Sequence, residues 1–224
     1  MGQGVFGLKK FNYMKSHWRK ILSLLPANLE KKYYSKFFIK EHEEWEQNGK
    51  RLPVSNLTKQ QALREFQKRY GLKTLVETGT YLGDTLYALS DSFDQLYSIE
   101  LSQYYYNLAR KRFRKIPKIH LLQGDSGLVL KQLLPTLDAP AIFWLDGHYS
   151  GGLTAKGEKE CPVFEELTPI FSSPFQHLIF IDDARLFIGK NDYPTVEEMK
   201  DFVKSHKRSY NLSIENDCIR LLPG

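Results

Sequence analysis

The chain has 224 residues, of which 42% are apolar, and its net charge is +6. This composition can build a core, so it excludes a chain that is disordered throughout. No apolar run approaches the roughly 18 residues that a membrane-spanning helix needs, and the N-terminus lacks the apolar region of a secretory signal. Cys161 and Cys218 form no metal-binding or CxxC spacing. We therefore expect a cytoplasmic protein with reduced cysteines.

Residues 1–70 are predicted to form a helical, basic N-terminal extension. Residues 1–40 carry nine lysine and arginine residues against one acid, Glu30, with aromatic residues such as Trp18 between them. Three interpretations stay open: a solvated cap, contact with an anionic membrane surface at the inner face of a membrane, or binding of an acidic partner. Such a segment can also bind nucleic acid, but we expect no nucleic-acid ligand for this chain.

Helices are predicted in the extension and at its end. Residues 1–50 have helical patterns interrupted near Pro26 and at Asn48-Gly49. A further helix is predicted over Lys59–Tyr70, with Thr58 as its N-cap and Gly71 after its last residue.

Residues 71–224 change to alternating short apolar runs and helical patterns, which is typical of a parallel sheet covered by helices on both faces. The predicted strands are Thr74–Glu77, Gln95–Glu100, Ile119–Gln123, Ala141–Leu145 and His177–Ile181. The predicted helices between them are Asp84–Ser90, Gln103–Lys115, Gly127–Leu133 and Pro162–Phe171.

The C-terminus departs from this alternation. A predicted helix, Thr195–Lys204, is followed by two strands, Ser209–Ile214 and Cys218–Leu222. The turn between these strands is so short that they must be antiparallel. The predicted fold is therefore an α/β, Rossmann-like, mostly parallel seven-stranded sheet with a C-terminal antiparallel hairpin and an N-terminal helical extension.

A glycine turn follows the first predicted strand. Residues 75–85 read Leu-Val-Glu-Thr-Gly-Thr-Tyr-Leu-Gly-Asp-Thr, so an apolar run ends in Glu77 and a turn with Gly79 and Gly83 opens a helix. Another acid, Glu100, ends the next apolar run 21 residues after Gly79. In nucleotide-binding βαβ units, an acid about 20 residues beyond the turn holds a ribose. The two features together predict a nucleotide-containing cofactor.

Acids follow all five predicted parallel strands. Ligands of open α/β sheets bind beyond the carboxyl ends of the strands, so we expect these acids at a functional edge. One such acid is common, because the chain becomes polar where it leaves the core, but a full set favours function. The acids are Glu77, Glu100, Asp125, Asp146 and the pair Asp182-Asp183.

This set of motifs resembles the class I S-adenosylmethionine-dependent methyltransferases over about residues 72–222, so we expect 71–224 to be such a domain. The resemblance implies S-adenosylmethionine as cofactor. It implies that Glu100 binds the ribose hydroxyls and that Asp125, with Ser126, meets the adenine amino group. The methionine end of the cofactor would be lined by Glu77, Gly79, Thr80, Tyr81, Gly83 and Thr85.

Tyr81 replaces the middle glycine of the usual E-x-G-x-G-x-G motif. In a dinucleotide site that glycine lets the backbone approach a pyrophosphate, and a tyrosine would obstruct the approach. Tyr81 therefore disfavours a nicotinamide-dependent oxidoreductase, which shares the first βαβ unit.

The fourth and fifth strands end in Asp146 and in Asp182-Asp183. Close carboxylates repel one another unless a proton or a cation lies between them, and oxygen ligands suit Mg²⁺. The arrangement resembles the metal-dependent O-methyltransferases that act on sugars of macrolide and aminocoumarin natural products. This resemblance implies a divalent metal, Mg²⁺, bound by Asp146, Asp182 and Asp183, and it assigns catalysis to Asp146 and to His148 as general base.

Two further features leave alternatives open. The glycine-rich stretch 147–158 is either a mobile loop that closes over the acceptor or a flexible connection. Arg185 either faces an acidic acceptor or forms a surface salt bridge.

The predicted function is Mg²⁺-assisted methylation of a hydroxyl on a sugar, a glycan or a glycosylated metabolite, with S-adenosylmethionine as methyl donor. The alternatives are a catechol-like small-molecule O-methyltransferase, a nicotinamide-binding oxidoreductase, and a non-enzymatic protein that binds a membrane or a partner. The acceptor, the methylated position and the choice between monomer and homo-oligomer stay open.

Overall fold

The computed structural model describes residues 27–147, 161–206 and 209–224. The chain divides into two compact units. Among the described residues, the first unit contains helix α1 (Ala27–Gln47) and Ser55–Leu57, and the second contains Arg51–Val54 and the chain from Thr58 onward. The boundary predicted at residue 70 stays a prediction.

In the described part of the chain, two helices precede the sheet. Helix α1 begins directly after Pro26 and ends before Asn48-Gly49, where the sequence predicted interruptions. Helix α2 (Asn56–Tyr70) begins before Thr58, so Thr58 lies in its first turn and is not the predicted N-cap. Ser, Asn and Thr all favour the N-cap position, and the sequence Ser-Asn-Leu-Thr offers several starts. Within the described ranges, no helix has both the length and the hydropathy to cross a bilayer.

The sheet has seven strands in the order β3-β2-β1-β4-β5-β7-β6. Strands β1 to β5 pair in parallel, whereas β7 pairs antiparallel with both β5 and β6. This topology confirms the predicted fold. The strands are β1 (Thr74–Thr78), β2 (Gln95–Glu100), β3 (Ile119–Gln123), β4 (Ile142–Leu145), β5 (Leu178–Ile181), β6 (Tyr210–Glu215) and β7 (Cys218–Pro223).

Helices connect the strands and cover both faces of the sheet. Strands β4 and β5 are therefore buried at every position, which explains their uninterrupted apolar sequences. One core cluster contains Val76, Phe143 and Ile179, and the other contains Leu75 and Trp144. The connecting helices are α3 (Asp84–Leu89), α4 (Gln103–Phe113), α5 (Ser126–Leu133), α6 (Val163–Ser172) and α7 (Val196–Ser205).

Helix α2 packs on the face of the sheet whose core cluster contains Leu75 and Trp144. Its buried residues Leu63 and Phe66 belong to the same cluster as Trp144 and Phe180. The Phe66 and Phe180 rings meet edge to face, with centroids 5.0 Å apart. Because strand side chains alternate between faces, the residues two positions after Trp144 and Phe180 point towards the α2 side.

Gly79 brings the turn after β1 against the end of β4. Its φ is +83°, and a Cβ there would lie 2.3 Å from the carbonyl oxygen of Asp146. The Gly79 N–H donates to the Ile99 carbonyl at 2.9 Å, which also ties the turn to β2. Only glycine therefore fits without displacing backbone at the edge of the sheet.

We expect Gly79→Ala to destabilise the protein much more than Gly71→Ala. Gly71 also has a positive φ, of +64°, but nothing lies within 4 Å of its missing Cβ. The control should therefore lose about 1 kcal/mol of unfolding free energy from backbone strain, and Gly79→Ala about 1–3 kcal/mol more from the forced backbone shift. Urea unfolding measures both, and equal losses would contradict the close approach to Asp146.

Candidate active site

The predicted strand-end acids lie at one edge of the sheet. Strands β2, β1, β4 and β5 are successive parallel neighbours, so their carboxyl ends are adjacent. Glu100 is the last residue of β2, and Glu77 is the last but one of β1. Asp146 directly follows β4, and Asp182 directly follows β5. Asp125 is the N-cap of α5, where its Oδ1 accepts from the Leu128 N–H at 3.0 Å, and Ser126 begins that helix.

Backbone N–H groups hold both oxygens of Glu100. The Tyr81 N–H donates to Oε2 and the Ser102 N–H donates to Oε1, each at 2.8 Å. Tyr81 reaches this position with a positive φ of +48°. Burial raises the pKa of Glu100, and the N–H groups of Ser102 and Tyr81 partly oppose this shift. The backbone N–H groups of Thr80 and Leu101 oppose the rise in the pKa of Glu100 as well.

Glu77 is buried within a chain of hydroxyl groups. The Ser98 hydroxyl donates to Glu77 Oε2 at 2.5 Å, and the hydroxyls of Thr80 and Ser98 are 2.6 Å apart. Burial raises the pKa of Glu77 to about 8, although the hydroxyls of Ser98 and Thr85 oppose the shift. The Glu77 side chain is therefore mostly neutral at pH 7.

Lys59, in the first turn of α2, reaches the aspartates that follow β5. Its Nζ lies 2.5 Å from Asp182 Oδ2 and 3.8 Å from Asp183 Oδ1. Although burial disfavours its charged form, the carboxylates of Asp182, Asp146 and Asp183 raise the pKa of Lys59. Burial raises the pKa of Asp146, the negative charge of Asp182 adds to the shift, and Lys59 opposes it. Lys59 is thus a protonated cation among three acids.

These side chains do not fit the predicted metal as they stand. In the part of the chain that the structure describes, no group of three or more Asp, Glu, His or Cys side chains is arranged to hold a metal ion. The second oxygen of Asp182, Oδ1, is buried and accepts no hydrogen bond from a described residue. The Lys59 ammonium is bound to the other oxygen, so a metal ion at Oδ1 would lie beside a like charge.

Arg185 forms salt bridges within the site and does not extend freely towards an acceptor. Its guanidinium donates to Asp183 Oδ1 at 2.7 Å and to the carboxylate of Asp217 in the β6–β7 turn. The Arg185 backbone N–H also donates to Asp217 Oδ1, at 2.9 Å. Of the two alternatives for Arg185, the structure therefore supports the salt bridge. Asp183 is held between two cations, Arg185 and Lys59.

The sequence prediction missed Lys59 and also Glu166 of α6. Glu166 is fully buried, and burial raises its pKa to about 7, with the hydroxyls of Ser126 and Thr78 opposing the shift. Glu166 is near the chain that leaves β4, because a Cβ on Gly147 would lie 3.1 Å from its Oε1. Glu166 had a signal in the sequence, since it occupies an apolar-face position between Val163 and Ile170. Lys59 had none.

His148 and most of the glycine-rich stretch lie outside the described residues. The structure therefore tests neither the predicted general base nor the predicted loop. The turn residues Gly79, Thr80 and Tyr81 follow β1, Gly83 is the N-cap of α3, and Thr85 lies in the first turn of that helix.

Solved structures share this fold, although no protein-family model matches the sequence and no curated protein matches it significantly. The Podospora anserina methyltransferase PaMTH1, bound to S-adenosylhomocysteine, is 17% identical with a TM-score of 0.55, covering 89% of this chain and 97% of that one. TomG, an O-methyltransferase of Streptomyces achromogenes in complex with S-adenosylmethionine, is 19% identical with a TM-score of 0.53, covering 85% and 89%. An O-methyltransferase from Bacillus cereus, in complex with S-adenosylhomocysteine, is 14% identical with a TM-score of 0.53, covering 82% of this chain and 89% of that one.

The chain has the methyltransferase fold. At these identities the similarity establishes the architecture, which agrees with the seven-stranded sheet and its antiparallel hairpin. The fold places its strand-end acids at the edge where open α/β sheets bind ligands.

We expect Glu77→Gln to flatten the dependence of stability on pH. The folded-state pKa of Glu77, about 8, lies above its ordinary value of 4.5. The stability that this group contributes is therefore fully present below about pH 4.5 and is lost as pH rises through about 8. The wild type should lose up to about 1.4 kcal/mol per pH unit more than the variant in this window. Urea unfolding at a series of pH values measures the difference.

The matched control is Glu65→Gln, which changes an exposed glutamate on α2. Its curve of unfolding free energy against pH should run parallel to that of the wild type. A parallel curve for Glu77→Gln as well would show that Glu77 titrates normally in the folded protein.

Proposed function

We propose that the protein is an S-adenosylmethionine-dependent O-methyltransferase that acts on a hydroxyl group of a sugar, a glycan or a glycosylated metabolite. The observation that carries the proposal is the buried carboxylate of Glu100 at the end of β2. It is oriented by the backbone N–H groups of Tyr81 and Ser102, which hold its two oxygens at the end of the strand. The same fold binds S-adenosylmethionine in TomG.

The two oxygens of the Glu100 carboxylate suit the two neighbouring hydroxyls of a ribose. Among the residues that the structure describes, no cation forms an ion pair with Glu100, and the side chain is only 7% exposed. A buried carboxylate without a counter-ion is stabilised by hydrogen-bond donors. Two hydroxyl groups from a nucleoside would supply them.

Apolar surface flanks the proposed position of the adenine. Leu101 directly follows β2 and Leu128 lies in the first turn of α5, and they are 37% and 59% exposed. Exposed apolar side chains beside a few oriented polar groups are typical of a ligand site. We propose that these leucines contact the faces of the ring and that Asp125 and Ser126 meet its amino group.

The methionine end of the cofactor is proposed to lie along the turn after β1. Glu77 is neutral at pH 7 in the described structure, and a cationic amino group nearby would favour its ionised form. Cofactor binding would then release a proton from Glu77. The other proposed contacts of this end are Gly79, Thr80, Tyr81, Gly83 and Thr85.

Bound S-adenosylmethionine supplies a methyl group on a positively charged sulfur, already activated for transfer to an oxygen nucleophile. The side chains of the protein would then orient the acceptor hydroxyl and remove its proton. We propose His148 as the base, since the ordinary pKa of histidine, about 6.5, suits proton transfer near neutral pH. Asp146, two residues before it at the end of β4, is proposed to take part in orienting this base and the acceptor.

A catechol-like or other small-molecule O-methyltransferase is the second candidate. The likeness to TomG, which takes part in tomaymycin synthesis, favours it. The resemblance of the aspartate pattern to sugar O-methyltransferases favours the first candidate. Transfer of a labelled methyl group to a panel of glycosides and catechols separates the two, and the class that is methylated identifies the acceptor.

Nicotinamide-dependent oxidation is disfavoured by the conformation of Tyr81. Its N–H is bonded to Glu100, and its ring packs 4.7 Å from that of Tyr105, so the tyrosine is part of the turn. A cytoplasmic location and a membrane contact through residues 1–40 stay predictions. Sedimentation with anionic liposomes tests the contact.

We expect calorimetry to detect binding of S-adenosylmethionine and S-adenosylhomocysteine but not of NAD. Glu100→Gln should weaken the binding at least tenfold, about 1.4 kcal/mol, because one of the two accepting oxygens is lost. The matched control, Asp94→Asn, changes an exposed acid next to β2 and should bind as the wild type does. Thermal unfolding confirms that each variant is folded, and binding of NAD in place of the methyl donor would overturn the proposal.

A further inference from the structure

We propose that Lys59 supplies the cation of the aspartate cluster, so that methyl transfer at this site requires no divalent metal. The inference rests on the proposed methyltransferase function only where it concerns methyl transfer. The role of Lys59 in the cluster is a property of the folded protein and does not depend on that function. It differs from the interpretation of the sequence, in which Asp146, Asp182 and Asp183 hold Mg²⁺.

The position of Lys59 is fixed by the packing of α2. Lys59, Leu63 and Phe66 are spaced so that they share one face of the helix. Leu63 and Phe66 are buried, and the Phe66 ring meets Phe180 of β5. Phe180 stands two residues before Asp182 and therefore on the same side of the strand. The apolar contacts of α2 therefore place Lys59 at the end of β5, and these contacts do not depend on the ion pair.

The ammonium is buried as an integral part of the cluster. Its side chain is 13% exposed, against 4% for Asp182 and 16% for Asp183. Exposed lysines form weak, screened pairs, whereas a buried lysine is retained only where carboxylates compensate its desolvation. A divalent ion at the same oxygens would have to displace this ammonium or stand beside a like charge. The cluster is therefore built around an internal cation.

The same ammonium has donors left for an acceptor. A lysine has three N–H donors, and among the described residues Lys59 makes one hydrogen bond, to Asp182. The remaining donors can bind an acceptor oxygen and stabilise the negative charge that develops when its proton is removed. Lys59 would thus perform through hydrogen bonds and charge what a metal ion performs through coordination.

The test compares Lys59→Met with the wild type in the presence of Mg²⁺ alone. Methionine keeps an unbranched stem but removes the charge, so Asp182 loses its cation, whereas Asp183 keeps Arg185. We expect the melting temperature of Lys59→Met to fall by several degrees and to be recovered in part by millimolar Mg²⁺. The melting temperature of the wild type should respond neither to Mg²⁺ nor to a chelator, and calorimetry should detect no Mg²⁺ binding by it.

The matched control is Lys73→Met, which breaks an exposed pair with Asp94, 3.7 Å apart with side chains 78% and 68% exposed. It should melt as the wild type does and show no response to Mg²⁺. Stoichiometric Mg²⁺ binding by the wild type, or a Lys59→Met variant as stable as the wild type, would overturn the proposal.

A second variant decides the case in which Lys59→Met does not fold. Lys59→Met combined with Asp182→Asn removes both charges of the closest pair, so folding should be recovered. Continued failure of the double variant would count against the proposal, because a loss of packing alone would then explain the single variant.

Calorimetry with S-adenosylhomocysteine separates this proposal from the proposed function. If the wild type fails to bind it, the methyltransferase function is overturned and the results with Mg²⁺ and Lys59 still stand. If it binds, and methyl transfer is abolished by a chelator and restored by Mg²⁺, the inference about Lys59 is overturned alone.

Discussion

Parallel pairing of β2, β1, β4 and β5 is the constraint on which the candidate site depends. In this register Thr78 of β1 stands beside Ile99 and Leu145, and Leu145 stands beside Ile181. The strands therefore end nearly in line, and residues more than 100 positions apart in the sequence meet at one edge. Helical connections on both faces bury the strands, and Glu77, Glu100 and Asp182 at their ends are buried as well.

Burial of several acids at one edge is unfavourable, and the protein compensates each acid differently. Glu77 keeps its proton and lies among hydroxyl groups. Glu100 accepts from two backbone N–H groups, which the positive φ of Tyr81 helps to aim. Asp182 and Asp183 are paired with cations of the chain. These arrangements leave Glu100 without a counter-ion among the described residues and give Asp182 and Asp183 cationic partners.

The fold and the common edge of the strand-end acids were predictable, because they depend on local patterns. Uninterrupted apolar runs such as that of Ile142–Leu145 indicate strands covered on both faces, and an acid after each run marks the carboxyl edge. Charge repulsion indicated Mg²⁺ or a proton between the aspartates, but not the cation that the structure places beside them, Lys59. Its identity was not predictable, because Lys59 lies 123 residues from Asp182 and nothing near it in the sequence indicates that contact. Glu166 could have been found, since it interrupts the apolar face of α6.

The contact between Lys59 and Asp182 also constrains how the protein is made. It closes a loop of 123 residues, and contacts between distant parts of a chain form late and slowly. On the ribosome, helix α2 and the first four strands leave the exit tunnel before Asp182 does. A fragment that stops before β5 would lack both Asp182 and Phe180, on which Phe66 of α2 packs, so the position of Lys59 and its ion pair depend on the same late segment.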